Sequence, residues 1–92
     1  MTDVHLRGHL VCRDTDEVAL VVQYLGQHIE LTCAEPGCIS FRVAPTDDPL
    51  VWQVQERFHD AGAFKAHQER VAGSDWGRAT KGIERRYTIE GL

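Results

Sequence analysis

The chain has 92 residues, with 14 acidic side chains against 10 Lys and Arg and a formal net charge of −4. Acids and bases are interspersed, so no positive stripe exists to follow a phosphate backbone, and no apolar run approaches the roughly 20 residues of a membrane helix; neither nucleic acid nor a membrane is an expected partner. The length suits a single domain over residues 1–92 that buries roughly 64% of its extended surface, a thin core for which a second copy of the chain would supply extra burial, so a homodimer is expected.

Three cysteines, Cys12, Cys33 and Cys38, are an odd number, and no basic-then-apolar leader precedes them. A reducing, cytoplasmic setting fits this usage better than an oxidised framework.

From Val4 to Cys12 the residues alternate. Leu6, Gly8, Leu10 and Cys12 share one face and His5, Arg7 and His9 the other, the period of a strand. Gly8 would leave room there for a ligand or a helix. Asp14 followed by Glu17 has the spacing of a capping pair, so a helix should begin at this point. Within it Val18, Val22, Leu25 and Ile29 recur at steps of three and four, with Cys33 continuing the stripe expected to pack on a sheet. Leu20, Tyr24 and Leu31 widen that face or meet a neighbouring subunit.

Pro36-Gly37 ends the helix, because proline disfavours a helical residue before it and glycine suits a tight turn. A second strand runs from about Cys38 to Val43. Ala44-Pro45-Thr46-Asp47-Asp48-Pro49 is a turn-forming stretch that should join it as an antiparallel hairpin to the strand containing Trp52, Val54, Glu56 and Phe58. Asp60 can cap a helix carrying Phe64, His67 and Val71 as far as Gly73. Ser74-Asp75-Trp76 opens a shorter helical turn. The chain finishes with Ile83, Arg85, Tyr87 and Ile89 alternating against Glu84, Arg86, Thr88 and Glu90, a last strand. Strand, helix, strand, strand, helix, strand is the split βαβ order of a ferredoxin-like α+β fold, with helices on one face of a four-stranded antiparallel sheet.

Glu56, flanked in period two by Val54 and Phe58, must be either paired or raised in pKa. It would then serve as a proton acceptor or set the tautomer of a nearby imidazole, or else it is a structural group bonded inside the core. His67, on the helix over that strand, is a candidate general base or shuttle, or a core histidine satisfied by Glu56 or a carbonyl. Trp52, Phe58, Phe64, Trp76 and Tyr87 are candidate walls for a planar, conjugated substrate, and each also suits plain packing. Trp76 follows a glycine-containing break and is placed to close a pocket mouth.

Metal chemistry finds no support. His5 and His9 lie roughly 13 Å apart along a strand rising ~3.3 Å per residue, and the C-x4-C pair Cys33 and Cys38 has no second pair to complete a tetrahedral set. There is no dinucleotide glycine loop, no G-x-S-x-G elbow and no H-E-x-x-H helix.

The run Glu35-Pro36-Gly37-Cys38-Ile39-Ser40-Phe41, followed by the apolar strand ending in Glu56, then Phe58, Asp60 and Ala63 to His67, resembles the antibiotic biosynthesis monooxygenase domain family of small cofactor-free oxygenases. The resemblance spans nearly the whole chain. It implies a dimer whose two sheets pack face to face around a barrel-like centre, and a reaction without cofactor in which dioxygen oxidises a small aromatic, quinol- or anthrone-like substrate, Glu56 and His67 handling the protons. Haem-degrading relatives use an asparagine, and this chain contains none. The alternatives are a non-catalytic, ligand-binding or structural dimer of the same fold, or an isomerase of a small polar metabolite, which would need polar groups such as Arg42 or Arg86 inside the cavity.

Overall fold

The computed structural model describes residues 3–92. In chain order the elements are β1 (Val4–Val11), α1 (Thr15–Cys33), β2 (Cys38–Pro45), β3 (Val51–Phe58), α2 (Ala61–Ala72), α3 (Asp75–Ala79) and β4 (Glu84–Glu90). The four strands form one antiparallel sheet in the order β2-β3-β1-β4. This is the ferredoxin-like α+β arrangement expected from the element order.

Register decides which side chains can meet. Glu56 pairs with Leu6 on β1 and with Phe41 on β2, while Gly8 pairs with Val54 and with Tyr87. Directly opposed residues point to the same side of a sheet. Leu6, Leu10, Phe41, Val43, Val54, Glu56, Phe58, Arg85 and Tyr87 therefore lie on the helix-covered face. Arg7, His9, Ser40, Arg42, Gln53, Gln55, Arg57, Arg86 and Thr88 lie on the other, which is exposed and polar.

The ends of α1 follow from its sequence. Asp14 Oδ1 accepts from the Glu17 N–H at 3.0 Å, and Glu17 Oε1 accepts from the Arg13 N–H at 2.7 Å, so the capping pair satisfies donors at the helix start. The buried face overlaps the stripe that apolar spacing predicts, with Val18 and Leu25 packed against the core, but is rotated from it. Val22 is 62% exposed, whereas Glu17, Val21, His28 and Thr32 are buried. The helix is rotated because three polar residues on it find partners inside: Glu17 at its cap, His28 against Trp76 and Thr32 with Arg70. Hydrogen bonds offset the cost of burying Glu17 and Thr32, whereas His28 gains a ring stack and keeps a buried Nδ1 without a partner.

Gly8 also departs from expectation. Its φ is +155°, and a Cβ there would lie 2.0 Å from the Arg86 carbonyl oxygen. The space is taken by the backbone of β4, not by a ligand or a helix.

α2 begins at Asp60, whose carboxylate accepts from the Ala63 N–H at 2.7 Å. The short α3 starts at Ser74, whose hydroxyl accepts from the Gly77 N–H and donates to the Val71 carbonyl. This ties α3 to the end of α2 and drives Trp76 inward, where it is 5% exposed. No helix among the described residues is long and apolar enough to cross a membrane.

Candidate active site

A small cavity of about 50 Å³ lies between the sheet and the helices. Leu6, Leu10, Val43 and Val54 form its apolar floor, and Phe41, Trp76 and Tyr87 its aromatic walls. The polar groups reaching it include Glu56, His67, His28, Gln68 and Arg85. β3 carries Glu56 on the strand face that Val54 and Phe58 make apolar, and α2 lays His67 over the same place. His67 Nε2 and Glu56 Oε1 stand 3.5 Å apart, with both side chains less than a tenth exposed. That separation is long for a hydrogen bond, and Oε1 has no partner within the protein.

The other side of the imidazole is firmly held. His67 Nδ1 lies 2.9 Å from Glu35 Oε1, and Glu35 Oε2 accepts from Arg70 Nε at 2.5 Å. Phe58 packs against the ring with centroids 4.8 Å apart.

Burial sets the charge states. The Glu56 carboxyl is pushed up from 4.5 to about 7, first by desolvation and then by the negative charge of Glu35, with the Arg85 guanidinium pulling the other way. His67 is lowered from its usual value, chiefly by burial, while the Glu35 carboxylate partly restores it. His28 is pushed down to about 3 by burial and by the nearby His67, Arg70 and Arg85. Tyr87 is pushed up to about 12, mainly by burial. Near neutral pH the cavity thus holds two uncharged imidazoles, a phenol and one carboxyl titrating close to the working pH, the range in which general acid–base groups are most effective.

Of the residues singled out in the sequence, Glu56, His67, Trp76 and Tyr87 line this cavity. Trp52, Phe58 and Phe64 do not. Trp52 sits opposite Leu10 and Pro45 near the hairpin end of the sheet, where it packs against the core beside the cavity without lining it. Phe58 is fully buried and forms an edge contact with Phe64, centroids 5.5 Å apart. Those two rings make the packing layer behind His67. Arg42 and Arg86 lie on the opposite, exposed face of the sheet, because strand alternation turns them away; Arg85, one residue earlier, faces inward. Its guanidinium is committed to the Thr80 and Ile83 carbonyls and the Thr80 hydroxyl.

Two functional candidates were missed. His28 stacks on Trp76 with centroids 4.5 Å apart and planes 3° from parallel, and its Nδ1 is buried without a partner. Its spacing from Val21 and Thr32 was legible, but a stripe chosen by apolarity leaves it out. Glu35 was visible in the E-P-G run, yet only folding brings it against His67. No cluster of three or more His, Cys, Asp or Glu that could hold a metal occurs among the described residues.

A four-stranded antiparallel sheet with helices over a buried imidazole–carboxyl site defines a small α+β domain of the ferredoxin-like class. The profile of the antibiotic biosynthesis monooxygenase family matches residues 14–77, and the chain belongs to that family. Solved structures agree on the fold. SnoaB from Streptomyces nogalater, described as a cofactor-independent oxygenase, aligns with a TM-score of 0.80 at 10% identity, covering 100% of this chain and 94% of that one. MupZ from Pseudomonas fluorescens aligns at 0.81 with 19% identity over 99% and 70% of the two chains. Rv0793 from Mycobacterium tuberculosis aligns at 0.76 with 19% identity over 99% and 95%. Among curated proteins none is a significant sequence match.

Proposed function

We propose that the protein is a cofactor-independent monooxygenase that oxidises an electron-rich aromatic, a quinol- or anthrone-like compound, with dioxygen. The observation that carries this reading is the unpaired Glu56 carboxyl, poised near pH 7, 3.5 Å from His67 Nε2 at the wall of a buried, aromatic-lined cavity. Membership of the family and the description of SnoaB support the reaction class.

In this scheme His67 Nε2 or the Glu56 carboxylate takes a proton from the substrate, and the electron-rich anion supplies the electrons that reduce dioxygen. For an anthrone-type CH2 group, one oxygen atom becomes the new carbonyl and the other leaves as water with both protons. Burial keeps water from the intermediate. The test is oxygen uptake by metal-free protein over a panel of hydroquinones and anthrones, beside His67→Ala. The expected result is uptake that requires the protein and falls on loss of His67. Uptake no faster than the protein-free rate across the panel would overturn the proposal for those compounds.

The cavity is far below the about 300 Å³ at which ligand pockets usually begin, so an aromatic ring needs a wall to move. Trp76 is the wall best suited, since it rides on the five-residue α3. The same contraction favours a second reading, a binding or structural protein with Glu56 and His67 sealed in the core. A thermal midpoint raised by a candidate aromatic, without oxygen uptake, is the result that selects it. For the isomerase reading, Arg42 and Arg86 lie on the outer sheet face, and Arg85 is the arginine that borders the cavity.

A homodimer remains part of the proposal. The exposed sheet face bears Arg7, Arg42, Arg57 and Arg86 with Gln53 and Gln55, and Arg7 and Arg86 already pair with Glu90 and Glu84. An interface there would be polar and hydrogen-bonded rather than a buried apolar sheet face. Sedimentation equilibrium should give twice the chain mass; a monomer at all concentrations removes the dimer.

A further inference from the structure

The Glu35-Pro36-Gly37 turn does more than end α1. Glu35 accepts no bond from its own helix through its side chain; both carboxylate oxygens are spent across the fold. Oε1 lies 2.9 Å from His67 Nδ1 and Oε2 accepts from Arg70 Nε at 2.5 Å, while Arg70 Nη2 donates to Thr32 Oγ1 at 2.9 Å. The carboxylate comes from the turn, the guanidinium from α2 and the hydroxyl from α1, so three segments converge to fix one imidazole.

The turn is held as tightly as the side chain. The Cys38 N–H donates to the Glu35 carbonyl at 3.1 Å, and the His59 N–H to the Gly37 carbonyl at 2.9 Å. A Cβ on Gly37 would lie 2.3 Å from the Ala63 Cβ. Glycine lets the turn close against the first turn of α2, which sets the height of Glu35 beside His67. On the outer side a groove of about 250 Å³ is lined by Glu35, Pro36, Ala63, Ala66, His67 and Arg70. His67 thus forms the partition between that groove and the inner cavity, one ring nitrogen toward each.

We propose that Glu35, clamped by Arg70, is the positioning residue of the site, fixing His67 as the Nδ1-protonated tautomer so that a bare Nε2 faces the cavity and Glu56. An ionised carboxylate offers only acceptors, so the proton between the two groups belongs to Nδ1. The remaining ring nitrogen must then be the acceptor. When Nε2 takes up a proton, the same carboxylate stabilises the imidazolium. Its catalytic consequence rests on the monooxygenase reading; the tautomer assignment does not.

The test is two-bond 1H–15N correlation on the full chain with 15N-labelled histidine at pH 8, the His67 signals being assigned by their loss in His67→Gln. In the wild type Nδ1 should resonate as the protonated nitrogen and Nε2 as the bare one. In Glu35→Gln the amide oxygen is drawn to Arg70 and the amide NH2 is turned toward Nδ1, so the tautomer should invert to Nε2–H. Oxygen uptake should fall, with the change mainly in kcat, as expected when an imidazole presents the wrong nitrogen. A folded Glu35→Gln protein that retains the wild-type tautomer overturns the proposal, as does a wild type with Nε2 protonated. Should that variant not fold, Arg70→Gln serves: loss of the clamp should move His67 toward averaged tautomer shifts, and unchanged wild-type shifts would overturn the assignment. If the tautomer inverts while the wild type shows no oxygen uptake on any substrate, the positioning role stands and the monooxygenase proposal alone falls.

Discussion

Glu56→Gln is expected to stabilise the fold by about 3 kcal/mol at pH 8 and to leave it nearly unchanged at pH 4. The Glu56 carboxyl rises from 4.5 to about 7 on folding. Between those values the native chain binds more protons than the unfolded one, so its stability falls as pH rises. The stability that Glu56 contributes as a neutral acid is fully present below 4.5 and lost as pH passes through 7. Above that, a buried carboxylate with an unpartnered Oε1 must be kept charged or locally exposed. Glutamine keeps the shape, stays neutral and can donate to His67 Nε2 as the protonated acid would. The sign is opposite to the loss expected if Glu56 were a paired buried charge, because the structure gives Oε1 no partner. Denaturant unfolding of both proteins at pH 4 and pH 8 decides the matter, and an equal difference at the two values would show that Glu56 does not titrate in this range.

On the monooxygenase reading the same substitution should lower turnover by about 10²- to 10⁴-fold, the usual range for removing a proton-transfer group. Stability gained and activity lost together is the signature of a residue kept for chemistry. A stabilised variant with undiminished oxygen uptake would leave His67 as the proton acceptor without Glu56.

Trp76→Ala is the second large effect, with an expected loss of about 3–5 kcal/mol, the range for removing a large buried aromatic. At 92 residues this lowers the thermal midpoint by about 12 °C or more. The indole covers His28 in a parallel stack and closes the cavity, and α3 is only five residues long, so little else can collapse into the space. Opening that wall also hydrates His28, whose pKa is held at about 3 chiefly by burial. Its titration, followed by NMR, should move upward toward the ordinary histidine value. A His28 that still titrates near 3 in Trp76→Ala would mean that the surroundings had refilled the gap. If Trp76 is the movable wall, the variant should also bind planar aromatics that the wild type admits slowly, seen as faster association.

The contrast between α1 and β3 explains how far sequence reasoning reaches. On β3 the period of two is rigid, so Trp52, Val54, Glu56 and Phe58 were placed on one face correctly from spacing alone. On α1 the turn angle leaves several overlapping stripes, and apolarity chose the one with Val22. The real face also carries Glu17, bonded locally at the helix cap, together with His28 and Thr32, which meet Trp76 and Arg70 from distant parts of the chain. The aromatic candidates divided for a related reason: alternation gave the correct face for Trp52 and Phe58, but not which rings on that face border the cavity and which pack beside it.

Local spacing by itself determined the order of elements, the ferredoxin-like architecture, both helix caps at Asp14 and Asp60, and the meeting of Glu56 with the helix that carries His67. These follow from short-range rules: strand alternation, capping geometry and the need to bury one face. Only the tertiary structure decided which α1 face is buried, which aromatics reach the cavity, and that Glu35 and Arg70 grip His67. The grip on His67 depends on contacts between residues more than thirty positions apart, and its energy exists only once the segments are packed and water has been excluded.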